Sequence, residues 1–153
     1  MWGTVLKRDL LGEVREEDKI RSKEQLQEYL ESEIEKQGKN VVIRNLDVSH
    51  IEDLSELFYG CENIRTLDLS GWKTSGIEDM NRMFESCVNL KSINLSGWDT
   101  SSVKDMNQMF SMCESLESLN LSGWDTSNVK NMGSLFWECP APYEVVDNKI
   151  VRK

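Results

Sequence analysis

Apolar and polar residues follow a pattern that repeats every 26 residues through most of the chain. Tryptophan returns at Trp72, Trp98 and Trp124 without a gap or an insertion. Phenylalanine and cysteine follow the same period at Phe58, Phe84, Phe110, Phe136, Cys61, Cys87, Cys113 and Cys139. A fixed period of this length is typical of proteins built from stacked structural repeats. The pattern predicts four repeats, at about residues 40–63, 64–89, 90–115 and 116–141.

The first part of each repeat alternates apolar and polar residues. The apolar residues fall in two columns of the repeat, which are Val41, Leu67, Ile93 and Leu119, and Ile43, Leu69, Leu95 and Leu121. Alternation with a period of two predicts a short β-strand that buries one face. The intervening polar residues are then expected on the exposed face, and they are Thr66, Asp68, Ser92, Asn94, Ser118 and Asn120.

The second part of each repeat has a helical spacing. In the third repeat the apolar residues follow at offsets of three, six, seven and ten positions: Val103, Met106, Met109, Phe110 and Cys113. These offsets predict one buried face of a short α-helix. Ser101 or Ser102 is the expected N-cap, and Ser102 and Asp105 have the spacing of a capping box. Each repeat is therefore predicted to be a strand followed by a short helix.

Substitutions in the first repeat indicate which way two further columns face. Leu46 occupies the position of the tryptophans, and Val48 that of a recurring threonine. These apolar replacements predict that the Trp and Thr side chains belong to the core, although a row of tryptophans also suits an exposed binding stripe. A glycine precedes each tryptophan where the strand must turn, which predicts a positive φ or close packing at Gly71, Gly97 and Gly123.

The segment before the repeats contains a predicted capping helix. Ser22-Lys-Glu-Gln25 has the form of a capping box, a helical apolar pattern follows, and Gly38 is a good stop signal. The helix is apolar on one side only, which suits a cap over an open end; an amphipathic membrane or partner helix is the alternative. Residues 1–21 are charged, and a short apolar contact is expected from Val5, Leu6, Leu10 and Leu11.

After the fourth repeat, two prolines interrupt a fifth repeat soon after it begins. Residues 143–146 and 149–152 keep strand character, and Asp147-Asn148 between them suits a tight hairpin turn. Val145 falls in the inward column. A charged hairpin at this end is expected to block edge-to-edge pairing with another molecule.

The repeated string Leu-x-x-Leu-x-Leu-Ser-Gly-Trp-Asp-Thr-Ser-x-Val-x-x-Met-x-x-Met-Phe-x-x-Cys resembles the 26-residue repeat of the BspA-like leucine-rich-repeat surface proteins of bacteria. The resemblance covers about residues 40–141. It implies a solenoid of short strands and helices and, for many members, a role in adhesion or protein–protein recognition. Members share no catalytic residue that could be carried over to this chain.

Together these patterns predict an α/β fold, a leucine-rich-repeat-like right-handed solenoid of about four strand–helix turns. An N-terminal capping helix and a C-terminal capping strand or hairpin close it. The expected organisation is one structural domain made of an N-terminal segment and cap (1–39), the repeats (40–141) and a C-terminal cap (142–153).

The charge of the chain limits its partners. The net charge is −9, from 27 acidic and 18 basic residues. Phosphate backbones repel such a chain, so direct nucleic-acid binding is not expected. No apolar run reaches the roughly 18 residues of a membrane span. The N-terminus lacks the pattern of a secretion signal, which predicts a cytoplasmic protein; a cell-surface or secreted location is the alternative if a leader has been removed.

The sequence contains few residues suited to catalysis or metal binding. The four cysteines follow the repeat and not the paired spacing of a zinc site, which favours buried, reduced thiols; one or two disulfides between neighbouring repeats are the alternative. His50 is the single histidine, and a surface or capping role is expected. A metal site or Ser-His-Asp triad is hard to build from one histidine. No cofactor and no enzymatic activity are therefore predicted.

The predicted function is protein recognition of leucine-rich-repeat type through the exposed sheet face. The candidate partner-binding residues are Thr66, Asp68, Ser92, Asn94, Ser118 and Asn120, with the off-column aromatics Tyr59 and Trp137. The alternatives are plain solvation with stacked Asn side chains bonding to each other, and a Trp137 covered by the terminal hairpin. An alternative function is an acidic inhibitor or decoy that blocks a basic, nucleic-acid-handling protein. A monomer or weak homo-oligomer is expected.

Overall fold

The structure is a computed structural model that describes residues 19–153. These residues form one helix and six strands: α1 (Lys23–Gln37), β1 (Asn40–Val42), β2 (Thr66–Asp68), β3 (Ser92–Asn94), β4 (Ser118–Leu119), β5 (Tyr143–Val146) and β6 (Lys149–Arg152). β1 to β4 form one parallel sheet in that order, and β5 and β6 form a separate two-stranded sheet. The mixed α/β architecture is as predicted. The apolar contact expected from residues 5–11 lies outside the described residues.

Helix α1 begins and ends where the sequence predicts. The Ser22 hydroxyl accepts a hydrogen bond from the Gln25 N–H at 3.2 Å, and Gly38 ends the helix with φ at 71°. Leu26 and Leu30 are buried in the main core, while most of the opposite face of the helix is exposed. The helix therefore covers apolar side chains of the repeats instead of standing apart from them.

The strands of the parallel sheet pair in a register that follows the 26-residue period of the sequence. Val41 pairs with Leu67, Leu67 with Ile93, and Ile93 with Leu119, so each partner lies 26 residues further on. All four side chains are buried, and the residues that flank them in the strands are not. The predicted half-buried strands are confirmed, because alternation along an extended chain sends successive side chains to opposite faces.

Aromatic rings stack in the core at the same period. Phe58, Phe84, Phe110 and Phe136 form a row with successive ring centroids 5.4, 5.6 and 5.7 Å apart. Tyr143 continues the row beyond Phe136 at 6.1 Å. The row packs ring against ring from the first repeat to the C-terminal hairpin.

The tryptophan column also faces the core. Trp72 and Trp98 are buried with centroids 5.6 Å apart. Their Nε1 groups donate to the carbonyl oxygens of Ile43 and Leu69 at 2.6 and 2.8 Å, which satisfies the polar atom of each buried indole. Trp124, in the last repeat, is only partly buried and tilts against Phe110. The core prediction is confirmed for the first two tryptophans and partly for the third.

The predicted short helices in the repeats are wrong, since α1 is the single helix within residues 19–153. The corresponding segments are successive turns, in which the N–H of Met109 bonds to Met106 O and that of Cys113 to Phe110 O. Left-handed residues interrupt any helical run, and they are Glu56, Gly60, Arg82, Ser86, Gln108, Met112, Ser134 and Glu138. The N–H groups of every second residue from Met106 to Met112 bond to the next repeat, as Phe110 N–H does to Leu135 O at 3.1 Å.

The predicted serine caps are wrong for the same reason. Asp105 Oδ1 accepts from the Asn107 N–H at 2.8 Å, and Asp99 Oδ1 accepts from the Ser101 N–H at 3.0 Å. An Asp or Asn thus closes a turn with the backbone two residues ahead, as this side chain commonly does. The positive φ expected at the glycine column is confirmed at 73°, 83° and 82° for Gly71, Gly97 and Gly123.

The C-terminal hairpin forms as predicted, with Asp147 and Asn148 both at positive φ between β5 and β6. Val145, expected to face inward, is instead 37% exposed. Tyr143 takes the buried place, because its ring packs on Phe136 and its hydroxyl accepts from the Leu121 N–H at 3.2 Å. The hairpin covers the end of the repeats without joining the parallel sheet.

Candidate protein-interaction face

The exposed face of the parallel sheet forms a shallow groove of about 410 Å³. All six residues predicted for the sheet face line it: Thr66, Asp68, Ser92, Asn94, Ser118 and Asn120. Three consecutive repeats supply them in pairs, because the register places equivalent residues side by side. The structure therefore brings the predicted sheet-face residues together into one surface, here called the sheet groove.

The central residue of the groove in each repeat is held by its own backbone. The side-chain oxygens of Asp68, Asn94 and Asn120 accept from the N–H two residues ahead at 3.0, 3.1 and 3.0 Å. The alternative in which the stacked Asn side chains bond to each other is therefore wrong. The Nδ2 groups of Asn94 and Asn120 have no partner among residues 19–153 and are available as donors to a ligand.

Among the residues that line the groove in this part of the chain, only Asp68 is charged, and Arg44 neutralises it. Arg44 Nε donates to Asp68 Oδ2 at 2.7 Å, and Arg44 Nη2 lies 2.5 Å from the same oxygen. Burial raises the pKa of Asp68, but hydrogen bonds from Arg44 and Ser70 outweigh it and hold that pKa below its ordinary value. The floor of the groove thus presents neutral hydrogen-bonding groups beside one closed ion pair.

Two residues at the β1 end of the groove are not among the candidate binding residues, although the sequence places one of them, Val42, in the outward column of Asp68, Asn94 and Asn120. Val42 lines the groove and is 47% exposed, the one apolar side chain in a column that is otherwise polar. The Gln37 side chain accepts from the Val42 N–H at 2.7 Å and donates to Val42 O at 3.1 Å. A side-chain amide thereby takes the place of a neighbouring strand and closes this sheet edge. The sequence carries no local signal for such a bond.

Tyr59 and Trp137, the other two candidates, lie outside the groove in the turn segments. They are 48% and 54% exposed, so the hairpin does not cover Trp137 as the alternative proposed. The Arg82 guanidinium lies 4.9 Å from the Tyr59 ring centroid. Glu85 and Ser111, in the same column between the two aromatics, are buried. The aromatics are therefore two separate exposed positions and do not form a continuous stripe.

Ser111 carries a buried hydroxyl with no hydrogen-bond partner in the described part of the chain. Ser111→Ala should therefore raise the free energy of unfolding by about 1 kcal/mol, because it removes an unsatisfied polar atom. Thr100→Val is the matched control, since the Thr100 hydroxyl is also buried but bonds twice to the Asp125 backbone, at 3.0 and 2.9 Å. Urea unfolding should show opposite signs for the two variants. Destabilisation by Ser111→Ala would contradict the view that the Ser111 hydroxyl is an unsatisfied buried polar group.

A row of acidic residues follows the turn side of the repeats. Asp53, Asp79, Asp105 and Asn131 pair in register, one in each repeat. Lys23 of α1 lies 3.1 Å from the carboxylate of Asp53. Burial raises the pKa of Asp79, the hydrogen bond from the Asn81 N–H lowers it, and the neighbouring charges of Asp53 and Asp105 raise it again, so that this pKa lies above its ordinary value. The ionised side chain of Asp79 is thus destabilised in the folded protein, because it is partly buried and has a carboxylate on each side.

Asp79→Asn should stabilise the protein at pH 7 by about 0.5 kcal/mol, because it relieves like-charge neighbours on adjacent chain segments. Asn131 already fills this column and makes the same turn bond, to the Gly133 N–H at 3.1 Å. A raised folded-state pKa costs stability above the unfolded pKa and the cost vanishes as pH falls, so the gain should disappear below about pH 4. Thermal melts from pH 3 to 8 would measure it.

Asp53→Asn is the control, and it is expected to change stability in the opposite direction from Asp79→Asn. Burial raises the pKa of Asp53, but bonds from Ser55 and Lys23 outweigh it and lower the pKa overall. A lowered pKa contributes stability above the unfolded pKa, so this variant should lose stability at pH 7. The same sign in both variants would show that net charge alone decides the outcome.

The four cysteines are free, and Cys87, Cys113 and Cys139 are buried. The prediction of reduced thiols is thus confirmed over that of disulfides. Cys87 and Cys113 donate to the carbonyl oxygens of Phe58 and Phe84, both at 3.1 Å. Burial raises the pKa of all four thiols, that of Cys113 to about 12. These protonated thiols serve packing and are poor nucleophiles.

His50 bonds through Nε2 to the carbonyl oxygen of Ile20, next to α1, which fits the predicted capping role. Within residues 19–153, no group of three or more His, Cys, Asp or Glu side chains is placed to hold a metal ion. No helix in this part of the chain has the length and apolar character needed to cross a membrane.

The fold and the groove define a repeat protein of mixed α/β class with an exposed parallel sheet. Residues 26–148 match the family described as Mycoplasma protein of unknown function, DUF285, and the chain belongs to this family. The match begins within α1 and spans the four repeats and the hairpin turn. No curated protein and no solved structure matches the chain.

Proposed function

We propose that the chain is a right-handed, leucine-rich-repeat-like solenoid of the BspA-like type, and that it binds another protein through the sheet groove without catalysing a reaction. The observation that carries the proposal is the convergence of six polar residues from three repeats on one exposed face. Arrays of this kind commonly recognise partners through such a face.

The groove is preorganised for binding. Its backbone is held by the parallel ladder, and its central side chains are held by turn bonds. A surface that is already ordered loses little conformational entropy when a partner docks. The free Nδ2 groups of Asn94 and Asn120 then act as donors, and Val42 adds an apolar contact at one end. Tyr59 and Trp137 are available to a partner that extends around the repeats.

The double variant Asn94→Asp/Asn120→Asp tests the proposal. Asp68 shows that a carboxylate fits this column and keeps the turn bond, so the fold should persist. The variant removes both Nδ2 donors, and we expect the partner captured by the wild-type chain from the source cells to be lost. Quantitative mass spectrometry of the two captures measures the difference.

The matched control is Ser75→Asp/Ser127→Asp, which adds the same two charges at exposed positions outside the groove. This control should capture the partner as the wild type does. If the partner remains bound to Asn94→Asp/Asn120→Asp, the binding surface lies elsewhere and the proposal fails.

A second candidate function is an acidic decoy for a basic, nucleic-acid-handling protein, which the net charge of −9 favours. A complex of that kind depends on long-range charge and should weaken steeply between about 0.05 and 0.5 M salt. It should also survive Asn94→Asp/Asn120→Asp, since that variant adds negative charge. Salt titration of the captured complex therefore separates the two candidates.

A further inference from the structure

A row of basic residues lies at the start of the strands that form the sheet groove, each one residue before its strand and next in the chain to the outward-facing residues. Lys39, Arg65 and Lys91 directly precede β1, β2 and β3, and Glu117 ends the row before β4. Their backbones are bonded directly, from Arg65 N–H to Lys39 O at 2.7 Å and from Lys91 N–H to Arg65 O at 2.8 Å. Because neighbouring strands are about 4.8 Å apart, the backbones of the three basic residues lie within roughly 10 Å of one another.

The row stands out because its cations have no carboxylate partner. Lys39, Arg65 and Lys91 are exposed, and none forms an ion pair within residues 19–153. The other basic residues of the repeats are paired within this part of the chain except Lys130, as Lys104 is with Glu78 at 2.6 Å and Arg82 with Glu56 at 2.8 Å. In a chain of net charge −9, three adjacent unpaired cations are a local excess of positive charge.

We infer that the partner of the sheet groove presents an extended acidic segment, whose carboxylates meet Lys39, Arg65 and Lys91. This inference rests on the function proposed above. The groove floor supports it, because Arg44 neutralises Asp68 and leaves no unpaired carboxylate there to repel an acidic chain. The free Nδ2 groups of Asn94 and Asn120 are donors, as carboxylates and peptide carbonyls require.

An acidic protein segment fits these observations better than a nucleic acid does. Duplex DNA carries one charge per roughly 1.7 Å of its axis, and three cations on a chain of net charge −9 cannot offset the repulsion. A peptide with a carboxylate at every second residue places its charges about 6.7 Å apart, which flexible Lys and Arg side chains can follow. The three cations then meet successive carboxylates of one strand-like segment.

The test uses fluorescence anisotropy of the full chain with labelled peptides of about ten residues, which alternate Ser with Glu, Gln or Lys. The Glu peptide should bind more tightly than the Gln peptide, and the Lys peptide should bind weakest. The triple variant Lys39→Glu/Arg65→Glu/Lys91→Glu should bind the Glu peptide about tenfold or more weakly than the wild type does, since three exposed attractions become repulsions. Circular dichroism would confirm that the variant is folded.

Two further variants make the test specific to the row. Lys130→Glu/Lys149→Glu/Lys153→Glu changes the net charge equally at exposed positions elsewhere and should alter binding by less than about twofold. Glu117→Lys extends the row to four cations and should tighten binding by about threefold. Equal losses from both triple variants, no gain from Glu117→Lys, or equally tight binding of a duplex DNA oligomer would each overturn the inference.

Failure of this inference is distinguishable from failure of the proposed function. If Asn94→Asp/Asn120→Asp releases the captured native partner while Lys39→Glu/Arg65→Glu/Lys91→Glu retains it, the groove binds a partner that is not acidic. The inference then falls and the proposed function stands. If neither variant releases the partner, both fall.

Discussion

Phe110→Ala is expected to lower the free energy of unfolding by about 3–5 kcal/mol. The Phe110 ring is fully buried between Phe84 and Phe136, with centroids at 5.6 and 5.7 Å, and Trp124 packs against it at 6.5 Å. Its removal leaves a cavity in the middle of the phenylalanine row, where rings on both sides are held in register by the backbone and cannot close the gap. Equilibrium unfolding in guanidinium would measure the loss.

Phe136→Ala is the control for position in the row. Phe136 belongs to the last repeat and is only partly buried, so its removal should cost clearly less than that of Phe110. A loss below about 1.5 kcal/mol for Phe110→Ala, or equal losses for both variants, would contradict the account of a shared ring stack through the repeats.

Leu26→Ala is expected to destabilise the protein by about 2–5 kcal/mol and to loosen the first repeat most. Leu26 is fully buried and fixes α1 on the core. When α1 loosens, Gln37 no longer holds the N–H and carbonyl of Val42, and the edge of β1 opens. Amide hydrogen exchange at Val42 should therefore accelerate more than exchange at Ile93, which lies two strands away.

Glu28→Ala serves as the control, since Glu28 is on the exposed face of the same helix and should change stability by less than about 0.5 kcal/mol. An open β1 edge also exposes backbone groups that pair with other chains. Size-exclusion chromatography of Leu26→Ala should then show self-association. Unchanged exchange at Val42 together with a monomeric variant would show that α1 does not protect this edge.

The two halves of each repeat differ in how well the sequence predicts them. Alternation predicted the strands correctly, because only an extended chain sends every second side chain to one face. The offsets of Val103, Met106, Met109 and Phe110 predicted a helix where the chain forms turns. Those four side chains are buried as expected, since consecutive turns with bonds three residues apart bury nearly the same positions as a helix.

The choice between helix and turn depends on neighbours that no local pattern contains. Met106, Gln108 and Phe110 give their N–H groups to the next repeat, and Gln108 takes a positive φ to do so. An isolated segment would have no such acceptors and would satisfy its N–H groups internally. Val145 shows the same limit, because Tyr143 fills the buried place that the column assigned to Val145.

The sequence by itself determined the period, the strand register, the capping helix with its boundaries, the aromatic columns and the six residues of the groove. Each follows from side-chain chemistry that recurs at a fixed spacing. Only the tertiary structure decided that turns replace helices, that Arg44 neutralises Asp68, that Gln37 closes the edge of β1 and that unpaired cations lie side by side at the start of the strands. These features are contacts between separate segments, and their geometry exists only once the repeats lie against one another.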